Sequence, residues 1–372
     1  MYDYSFDYAH CREIFSSFQN ILKSHYLLVE KDTYPIQEKC SVNMFMCENP
    51  NAKKLLLITT GEHGIEGYAG NVFLQLFVEE FLPIIKHDEV SLLLVHSINP
   101  WGMKHKRRVN KDNVDLNRNF LDFSSLDIDL RNESFEKMRK YFTNAKPVGT
   151  SDLNFFLNIV KLIPYIVTLG SNGIKEALTK GQYTCERCVY YGGKEEEGCT
   201  QYMKALYKHV YSTYDFVLHL DIHTGAGPKN RMVIVNSIFD EQESEKREAE
   251  FGYSPITKAD KESFYEINGD MIDYIYKQYG GKSKFYSTCF EYGTFGDDLI
   301  GQLKSLNALV LENRAWYYGT KNANVKARID ELFRAMFFPD DAEWKSSFEK
   351  DTRVALSGIL KHFGFVSTTY RQ

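Results

Sequence analysis

The residues that most clearly suggest chemistry are His63 and Glu66, three positions apart in the glycine-rich stretch GEHGIEG. This stretch directly follows the apolar run LLLITT, and α/β sheets present their ligand sites just after such strands. The glycines would let a nitrogen and an oxygen converge on one cation. Taken alone, the pair also fits a polar loop whose hydrogen bonds are satisfied internally.

A second histidine, His223, lies near the end of another apolar run, FVLHLDIHTG. If this run is a strand, His219, Asp221 and His223 alternate onto one face, so a ligand histidine would have a carboxylate neighbour. His63, Glu66 and His223 together have the ligand composition of a catalytic zinc site, with a fourth position left for water. Each histidine taken separately could instead be a hydrogen-bonded core residue.

A basic, asparagine-rich segment, RRVNKDNVDLNRNF at 107–120, lies between these two motifs. Its arginines include Arg107, Arg108 and Arg118, and they sit with amides in a loop that follows a predicted strand. Guanidinium groups in such a loop could hold a carboxylate through two hydrogen bonds and polarise a carbonyl. A charged run of this kind is otherwise a solvated surface.

The rest of the pattern predicts the scaffold that would position these residues. Buried or half-buried strands are predicted at 40–47, 55–64, 91–100, 216–225, 231–236 and 287–294. Helical spacing at about 5–30 and 68–85 gives a strand–helix–strand order, which implies parallel strands. We therefore expect α/β architecture: one domain over 1–372 with a central mixed, largely parallel sheet, helices on both faces, and a mostly helical inserted segment at about 124–200.

Composition narrows the classes of function. With 43% hydrophobic and 26% charged residues, the 372-residue chain is typical of a globular protein. Its net charge of −5 gives no reason to expect a nucleic-acid or membrane partner. No apolar run approaches the roughly 18 residues of a membrane span, and the first residues lack a signal-peptide pattern, so a cytoplasmic location is expected.

The cysteines predict reduced thiols. There are 7 in the chain, an odd number at a density far below that of a disulfide scaffold. Cys185 and Cys188 form a C-x-x-C pair, but a structural zinc site would need a second pair of ligands. A chance pair in the inserted segment is the favoured interpretation.

In their order along the chain, these motifs resemble the zinc carboxypeptidase superfamily, which includes carboxypeptidase A and the succinylglutamate desuccinylase and aspartoacylase deacylases. The closer resemblance is to a largely bacterial branch, through NPWG, RRVNKDNVDLNRNF, GQY with a later YGG, DIHTG and EYGT. It extends from about Tyr8 to Tyr317. It implies the zinc carboxypeptidase-like fold, with the metal at the carboxyl ends of the strands.

The resemblance also implies a set of site residues. One zinc ion would be bound by the histidines and the glutamate of the first two motifs, namely His63, Glu66 and His223. Asp115 matches the aspartate that accepts a hydrogen bond from the first ligand histidine and fixes its tautomer. Asn117 and Arg118 match the pair that binds the terminal carboxylate of the substrate.

The resemblance also implies two catalytic residues, an arginine and a glutamate. Arg108 matches the arginine that stabilises the oxyanion, with Arg107 as its competitor. Glu291, in CFEYGT, matches the general base, whereas Glu312, in LVLENRAW, has helical character and is expected to face solvent or cap a helix. The tyrosine that covers the substrate in these enzymes stays unassigned among Tyr253, Tyr265 and Tyr274.

The expected function is zinc-dependent hydrolysis of an amide bond next to a carboxylate-bearing residue. A metallocarboxypeptidase acting on small peptides is the first expectation, and an N-acyl-amino-acid deacylase of the aspartoacylase type is the alternative. The two differ only in the acyl side of the substrate. A non-catalytic module that binds a metal or a carboxylate is a third alternative, and the oligomeric state is left open.

Overall fold

The computed structural model describes residues 2–36, 38–125, 130–258 and 267–367. One eight-stranded sheet forms the centre of this part of the chain. Its strands are β1 (Leu28–Pro35), β2 (Ser41–Glu48), β3 (Lys54–Thr60), β4 (Val90–His96), β5 (Phe216–Gly225), β6 (Met232–Asn236), β7 (Ile256–Lys258) and β8 (Phe285–Gly293).

Helices connect and cover these strands. The α-helices in the described ranges are α1 (Tyr8–Leu22), α2 (Gly67–Leu76), α3 (Pro100–Lys104), α4 (Glu133–Phe142), α5 (Phe155–Thr179), α6 (Gly198–Thr213), α7 (Ser244–Phe251), α8 (Met271–Tyr279), α9 (Leu299–Tyr318), α10 (Ala323–Phe337) and α11 (Ala342–His362). Short 3-10 helices at Gly64–Glu66 and Leu116–Arg118 carry candidate site residues.

The strand order is β1-β2-β4-β3-β5-β8-β6-β7. The four central strands, β4, β3, β5 and β8, are parallel to one another, and β1, β2 and β6 each join through antiparallel pairs. The predicted mixed sheet is therefore confirmed, with its parallel part at the centre. Both faces of that part are buried, which explains why its strands are continuous apolar runs in the sequence.

Successive side chains of β3 enter two different cores. Leu56 and Ile58 pack in the cluster that holds residues of α1, α2 and α11, whereas Leu55 and Leu57 pack with residues of α6 and α8. This division follows from the alternation of side chains along a strand. It confirms that helices cover both faces of the sheet.

The stretch at 124–200 contains α4 and α5, followed by the loop at 181–193, which we name the Gln182 loop. Its description as an insertion in a single domain stays a prediction. Within the described residues no single helix is long and apolar enough to cross a membrane; the halves of α5, Phe155–Gly170 and Asn172–Thr179, meet those criteria only as a pair bent by 106°.

Three features differ from the sequence prediction. Two are strands that were not predicted: β1, an edge strand whose side chains are mostly exposed and which lacks the apolar pattern of the central strands, and β7, which has only three residues. The third is a disulfide between Cys185 and Cys188, so the prediction of reduced thiols is wrong for this pair. The backbone N–H of Cys188 donates to the carbonyl of Cys185 at 3.0 Å, and the resulting turn brings the two cysteines together.

The sheet brings the predicted site elements to one edge. β3 ends three residues before His63, His223 lies near the end of β5, and Glu291 lies near the end of β8. In the parallel pairing of β5 with β8, His223 is directly opposite Glu291. The carboxyl ends of neighbouring parallel strands therefore place these groups side by side.

Candidate active site

His63 and Glu66 lie on a tight turn immediately after β3. Gly61 has a φ of 65°, a conformation that a residue with a side chain rarely adopts. At Gly64 an added Cβ would lie 2.2 Å from the backbone of Gly102, so only glycine allows the turn to pack against the chain after β4. The two glycines thus determine where the histidine and the glutamate point.

Backbone hydrogen bonds hold the basic segment at 107–120 against this turn. The N–H of Gly64 donates to the carbonyl of Arg108 at 3.0 Å, and the N–H of Ile65 donates to the carbonyl of Arg107 at 2.9 Å. The loop and the turn therefore form one unit, although they are about 40 residues apart in the sequence.

Three candidate ligand groups converge at the edge of the sheet. The Nδ1 atoms of His63 and His223 are 3.2 Å apart. The carboxylate of Glu66 lies against both, with Oε1 at 3.0 Å from Nδ1 of His63 and Oε2 at 3.1 Å from Nδ1 of His223. The three residues are buried, at 3%, 1% and 5% exposure for His63, Glu66 and His223.

A carboxylate lies behind each imidazole. Nε2 of His63 is 3.0 Å from Oδ1 of Asp115, and Nε2 of His223 is 2.5 Å from Oδ2 of Asp221. Because ionised carboxylates only accept hydrogen bonds, both imidazoles carry a proton on Nε2. In the neutral rings, the lone pairs of the two Nδ1 atoms are then directed at each other and at Glu66. The structure thus places Asp115 and Asp221 beside the histidines, and the role of Asp115 in fixing the tautomer of a metal ligand stays a prediction.

This arrangement fits a divalent cation. Two nitrogens at about 2.0–2.1 Å from a tetrahedral zinc lie about 3.3 Å apart, close to the observed separation of the two Nδ1 atoms. Five carboxylates lie in or beside the site, those of Glu62, Glu66, Asp115, Asp221 and Glu291, and Arg108 contacts two of them, Glu66 and Asp115. In the metal-free protein, burial opposes protonation of His223, but Asp221 and Glu62 outweigh it and hold the pKa of His223 well above its ordinary value.

Glu62 is a site residue that the sequence analysis did not identify. Its carboxylate is 1% exposed, and Oε2 lies 3.3 Å from Nε2 of His223. Neither of its oxygens has a hydrogen bond among the described residues, and burial raises the pKa of Glu62 to about 7. Glu62, His63 and His223 form one group of donor atoms within 4.8 Å of one another. Because Glu62 lies on the Nε2 side of His223, Glu66 remains the better placed ligand.

Glu291 faces the candidate ligands from β8. His223, Cys289 and Glu291 form a second group whose donor atoms lie within 4.8 Å of one another. Oε1 of Glu291 accepts a hydrogen bond from the N–H of Ala226 at 2.9 Å. Burial and the charge of Glu66 raise the pKa of Glu291 to about 7, so this carboxylate can gain and lose a proton near neutral pH.

The two competing arginines occupy different surroundings. Nε of Arg108 donates to Asp115 at 3.1 Å, and Nη1 of Arg108 lies 3.5 Å from Glu66, at the edge of the ligand set. Arg107 is buried away from it, with Nε donating to Glu312 at 2.8 Å. The expectation that Glu312 faces solvent or caps a helix is therefore wrong: it lies inside α9, and its carboxylate accepts from a buried guanidinium.

Asn117 and Arg118 lie on the 3-10 helix Leu116–Arg118, beside the Gln182 loop. Oδ1 of Asn117 accepts from the N–H of Met271 at 2.8 Å, so this amide also holds the start of α8. Nη1 of Arg118 donates to the carbonyl of Asn117 at 2.7 Å, while its Nε is buried without a partner among the described residues. The guanidinium therefore keeps donors that a carboxylate can occupy.

Two of the three candidate covering tyrosines have other surroundings. The hydroxyl of Tyr253 donates to the carbonyl of Met232 at 2.6 Å inside the core. Tyr274 is half-buried on α8, with Nζ of Lys204 at 4.9 Å from its ring centroid. Tyr265 lies outside the described residues.

The chain resembles several solved structures, of which three are described here. Bovine thrombin-activatable fibrinolysis inhibitor, in complex with tick carboxypeptidase inhibitor, is 15% identical with a TM-score of 0.47, and the match covers 86% of this chain and 96% of that one. Carboxypeptidase A from Helicoverpa armigera is 12% identical, with a TM-score of 0.43 and coverages of 87% and 71%. An aspartoacylase family protein from Mesorhizobium loti is 14% identical, with a TM-score of 0.37 and coverages of 79% and 68%.

At these identities and scores, the likenesses transfer no activity to this chain. Comparison with curated proteins gives no match to the sequence. A family model does match, and it spans residues 4–350, nearly the whole chain. On that match, the chain belongs to the family described as "Protein of unknown function (DUF2817)".

Proposed function

We propose that this protein is a zinc-dependent hydrolase of the carboxypeptidase superfamily that cleaves an amide bond next to a carboxylate-bearing residue. The observation that carries the proposal is the convergence of Nδ1 of His63, Nδ1 of His223 and the carboxylate of Glu66, with Glu291 on the neighbouring strand. Two imidazoles and one carboxylate leave one tetrahedral position open, which is the composition of a catalytic rather than a structural zinc site.

Different residues at this edge of the sheet would carry the different catalytic roles. Zinc, when bound, activates water and polarises the scissile carbonyl. Glu291 accepts a proton and later delivers it to the leaving amine, for which a pKa near neutrality is suitable. Arg108 lies where its remaining donors can stabilise negative charge on the carbonyl oxygen.

The 3-10 helix that follows Asp115 would orient the substrate. Arg118 would bind the substrate carboxylate, with Asn117 beside it, and so hold the scissile bond near Glu291. A peptide with a free C-terminus and an N-acyl amino acid share this carboxylate. The first expectation is a carboxypeptidase, and the deacylase differs from it only in what lies on the acyl side.

The test is hydrolysis of a panel of short peptides and N-acyl amino acids by the zinc-loaded protein. We expect Glu291→Gln to keep zinc and to lose turnover, because the amide cannot accept the proton. Glu331→Gln, an exposed glutamate of α10, is the matched control and should retain full activity. Hydrolysis of the peptides but not of the N-acyl amino acids would favour the carboxypeptidase. Hydrolysis of the N-acyl amino acids but not of the peptides would favour the deacylase.

Failure of the wild-type protein on the whole panel, with one zinc bound, would contradict the proposal. It would favour the module that binds a metal or a carboxylate without catalysis. Unchanged turnover in Glu291→Gln would remove this residue from the role of base while leaving the metal site in place.

A further inference from the structure

A buried hydrogen-bond network lies behind His223, on the face of the sheet that α6 and α8 cover. Oγ1 of Thr59 lies 2.6 Å from Oδ1 of Asp221 and 2.8 Å from Nε2 of His219. On the other side of the same ring, Nδ1 of His219 lies 2.8 Å from Oγ of Ser287. We name these four residues the Thr59 network. All four are 0% exposed, so bulk water does not compete for their hydrogen bonds.

The pairing of three parallel strands places these residues side by side. Thr59 of β3 lies opposite Asp221 of β5, and His219 of β5 lies opposite Ser287 of β8. His219, Asp221 and His223 alternate along β5 and therefore share one face of the sheet. The Thr59 network thus leads across the sheet to the candidate metal ligand His223.

The hydrogens of the network have a single direction. An ionised carboxylate only accepts, so the one hydrogen of the Thr59 hydroxyl points at Asp221. The oxygen of Thr59 then accepts from Nε2 of His219, and Nδ1 of that ring accepts from the hydroxyl of Ser287. Burial lowers the pKa of His219 to about 4, so the ring is neutral at neutral pH and has one N–H to donate. Every donor of the network therefore points towards the carboxylate of Asp221.

Two carboxylates lie near the Nε2 atom of His223. Oδ2 of Asp221 is 2.5 Å from this nitrogen, and Oε2 of Glu62 is 3.3 Å from it. Glu62 has no hydrogen bond among the described residues, whereas Oδ1 of Asp221 accepts from Thr59. Because a carboxylate is planar, anchoring one of its oxygens also sets the direction of the other. The anchor at Thr59 therefore favours Asp221 over Glu62 as the partner of His223.

We propose that Thr59 is a positioning residue of the metal centre, because its hydrogen bond holds Asp221 against Nε2 of His223 and so keeps Nδ1 directed at the metal. His219 and Ser287 act through Thr59, since they leave its hydrogen free for Asp221 alone. The inference rests on the zinc site of the proposed function. It adds three residues that support one ligand, and outer groups of this kind fix the orientation and basicity of a ligand imidazole.

The test removes the Thr59 hydroxyl with little change in side-chain volume. Thr59→Val keeps the shape and lacks the hydroxyl, whereas Thr59→Ser keeps the hydroxyl and loses a methyl group. We expect zinc affinity, measured by competition with a chelator, to fall about 3- to 10-fold in Thr59→Val. Thr59→Ser should bind zinc as wild type does. A packing role would give the opposite order, because valine fills the space and serine leaves a cavity.

Thr60→Val is the matched control. Thr60 is the next residue of β3, is also buried, and has its hydroxyl 2.7 Å from Nδ1 of His96 on the opposite face of the sheet. We expect this variant to lose stability in urea unfolding and to keep the wild-type zinc affinity. The visible absorption of cobalt-loaded protein is a second readout, because it depends on the geometry of the ligands. We expect this spectrum to change in Thr59→Val and not in Thr60→Val.

A double-variant cycle tests whether Thr59 acts through Asp221. In the Asp221→Asn background, we expect Thr59→Val to cause a smaller loss of zinc affinity than it causes in wild type, since the carboxylate that it holds is already absent. Full additivity of the two losses would overturn the inference.

Zinc affinity and hydrolysis are separate measurements, so the two proposals can fail separately. The expected order of zinc affinities without any turnover would keep the Thr59 network and reject the hydrolase. Equal zinc affinity in wild type and Thr59→Val would overturn the inference even if wild type hydrolyses its substrates. A wild-type protein that binds no zinc would overturn both.

If Thr59→Val does not fold, nitrogen NMR of isotope-labelled histidine side chains in zinc-loaded wild type decides. We expect a neutral His219 ring with its hydrogen on Nε2. A hydrogen on Nδ1 instead would draw the Thr59 hydrogen to His219 and away from Asp221, and would overturn the inference.

Discussion

His63 and His223 face each other through their Nδ1 atoms at 3.2 Å, and each has a carboxylate at its Nε2 atom. The carboxylates fix the proton on the far side of each ring, so that both lone pairs are directed at one place. The carboxylate of Glu66 places one oxygen beside the Nδ1 atom of each histidine. In the metal-free protein the raised pKa of His223 lets a proton occupy this place, and a bound metal cation would displace that proton.

The carboxylates behind the histidines should therefore control metal affinity. We expect Asp115→Asn and Asp221→Asn each to weaken zinc binding by about 10- to 100-fold, since an amide does not enforce the same tautomer or raise the basicity of the ring. The measurement is competition for zinc against a chelator of known affinity. Asp240→Asn, which removes a carboxylate paired with Arg247 on α7, is the control and should bind zinc as wild type does. Unchanged affinity in both site variants would contradict the tautomer argument.

The pH dependence of activity should reflect the protonation state of the Glu291 carboxylate. A general base must be deprotonated, so activity is present above its pKa and is lost as the pH falls through it. Burial and Glu66 raise that pKa to about 7 in the metal-free protein, and a bound cation lowers it. We expect kcat/KM to fall about tenfold per pH unit on an acidic limb at or below neutrality. The profile should be recorded with zinc content checked at each pH. Residual turnover of Glu291→Gln with the same acidic limb as wild type, and with zinc bound throughout, would exclude Glu291 as the source of that limb.

Substitution of the two neighbouring arginines, Arg107 and Arg108, should have different effects on activity and stability. Arg108→Ala removes a donor at the ligand set, and loss of one oxyanion donor typically costs about 2.7–4 kcal/mol, or about 100- to 1,000-fold in kcat. Arg107→Ala instead leaves Glu312 without its buried partner, which typically costs about 3–5 kcal/mol of stability. Steady-state kinetics and urea unfolding of both variants separate the effects. A large loss of kcat in a stably folded Arg107→Ala protein would reverse the assignment.

The disulfide should stabilise the Gln182 loop. Its short ring gives about 2 kcal/mol by the chain-entropy relation, so reduction by dithiothreitol should lower the free energy of unfolding by about that amount. Carbonyls of this turn also accept hydrogen bonds from Asn113, which in turn accepts from Arg107. The double variant with serine at Cys185 and Cys188 is the control, because it should start at the lower stability and not respond to the reductant. A thiol count showing both cysteines reduced in the native protein would refute the prediction.

The central strands and the candidate ligand residues could be predicted from the sequence for the same reason. Parallel strands buried on both faces are continuous apolar runs, and polar residues at their ends are recognisable against that background. His223 and Asp221 could even be paired in advance, because residues two apart in a strand share a face.

The features that were not predicted depend on contacts between distant segments. Glu62 becomes a site residue only because β5 brings His223 beside it, and its own spacing carries no such signal. Glu312 belongs to an ordinary helical pattern, and only the packing of α9 on the basic segment shows that it meets Arg107, 205 residues away.

The most direct test of the metal centre is the zinc content of purified protein, measured by mass spectrometry after dialysis against a weak chelator. We expect about one zinc per chain for wild type and for Glu291→Gln. We also expect a large loss of bound zinc in His63→Ala, Glu66→Ala and His223→Ala when these remain folded. Wild-type protein that retains no zinc, or ligand variants that retain a full equivalent, would contradict the proposed metal centre.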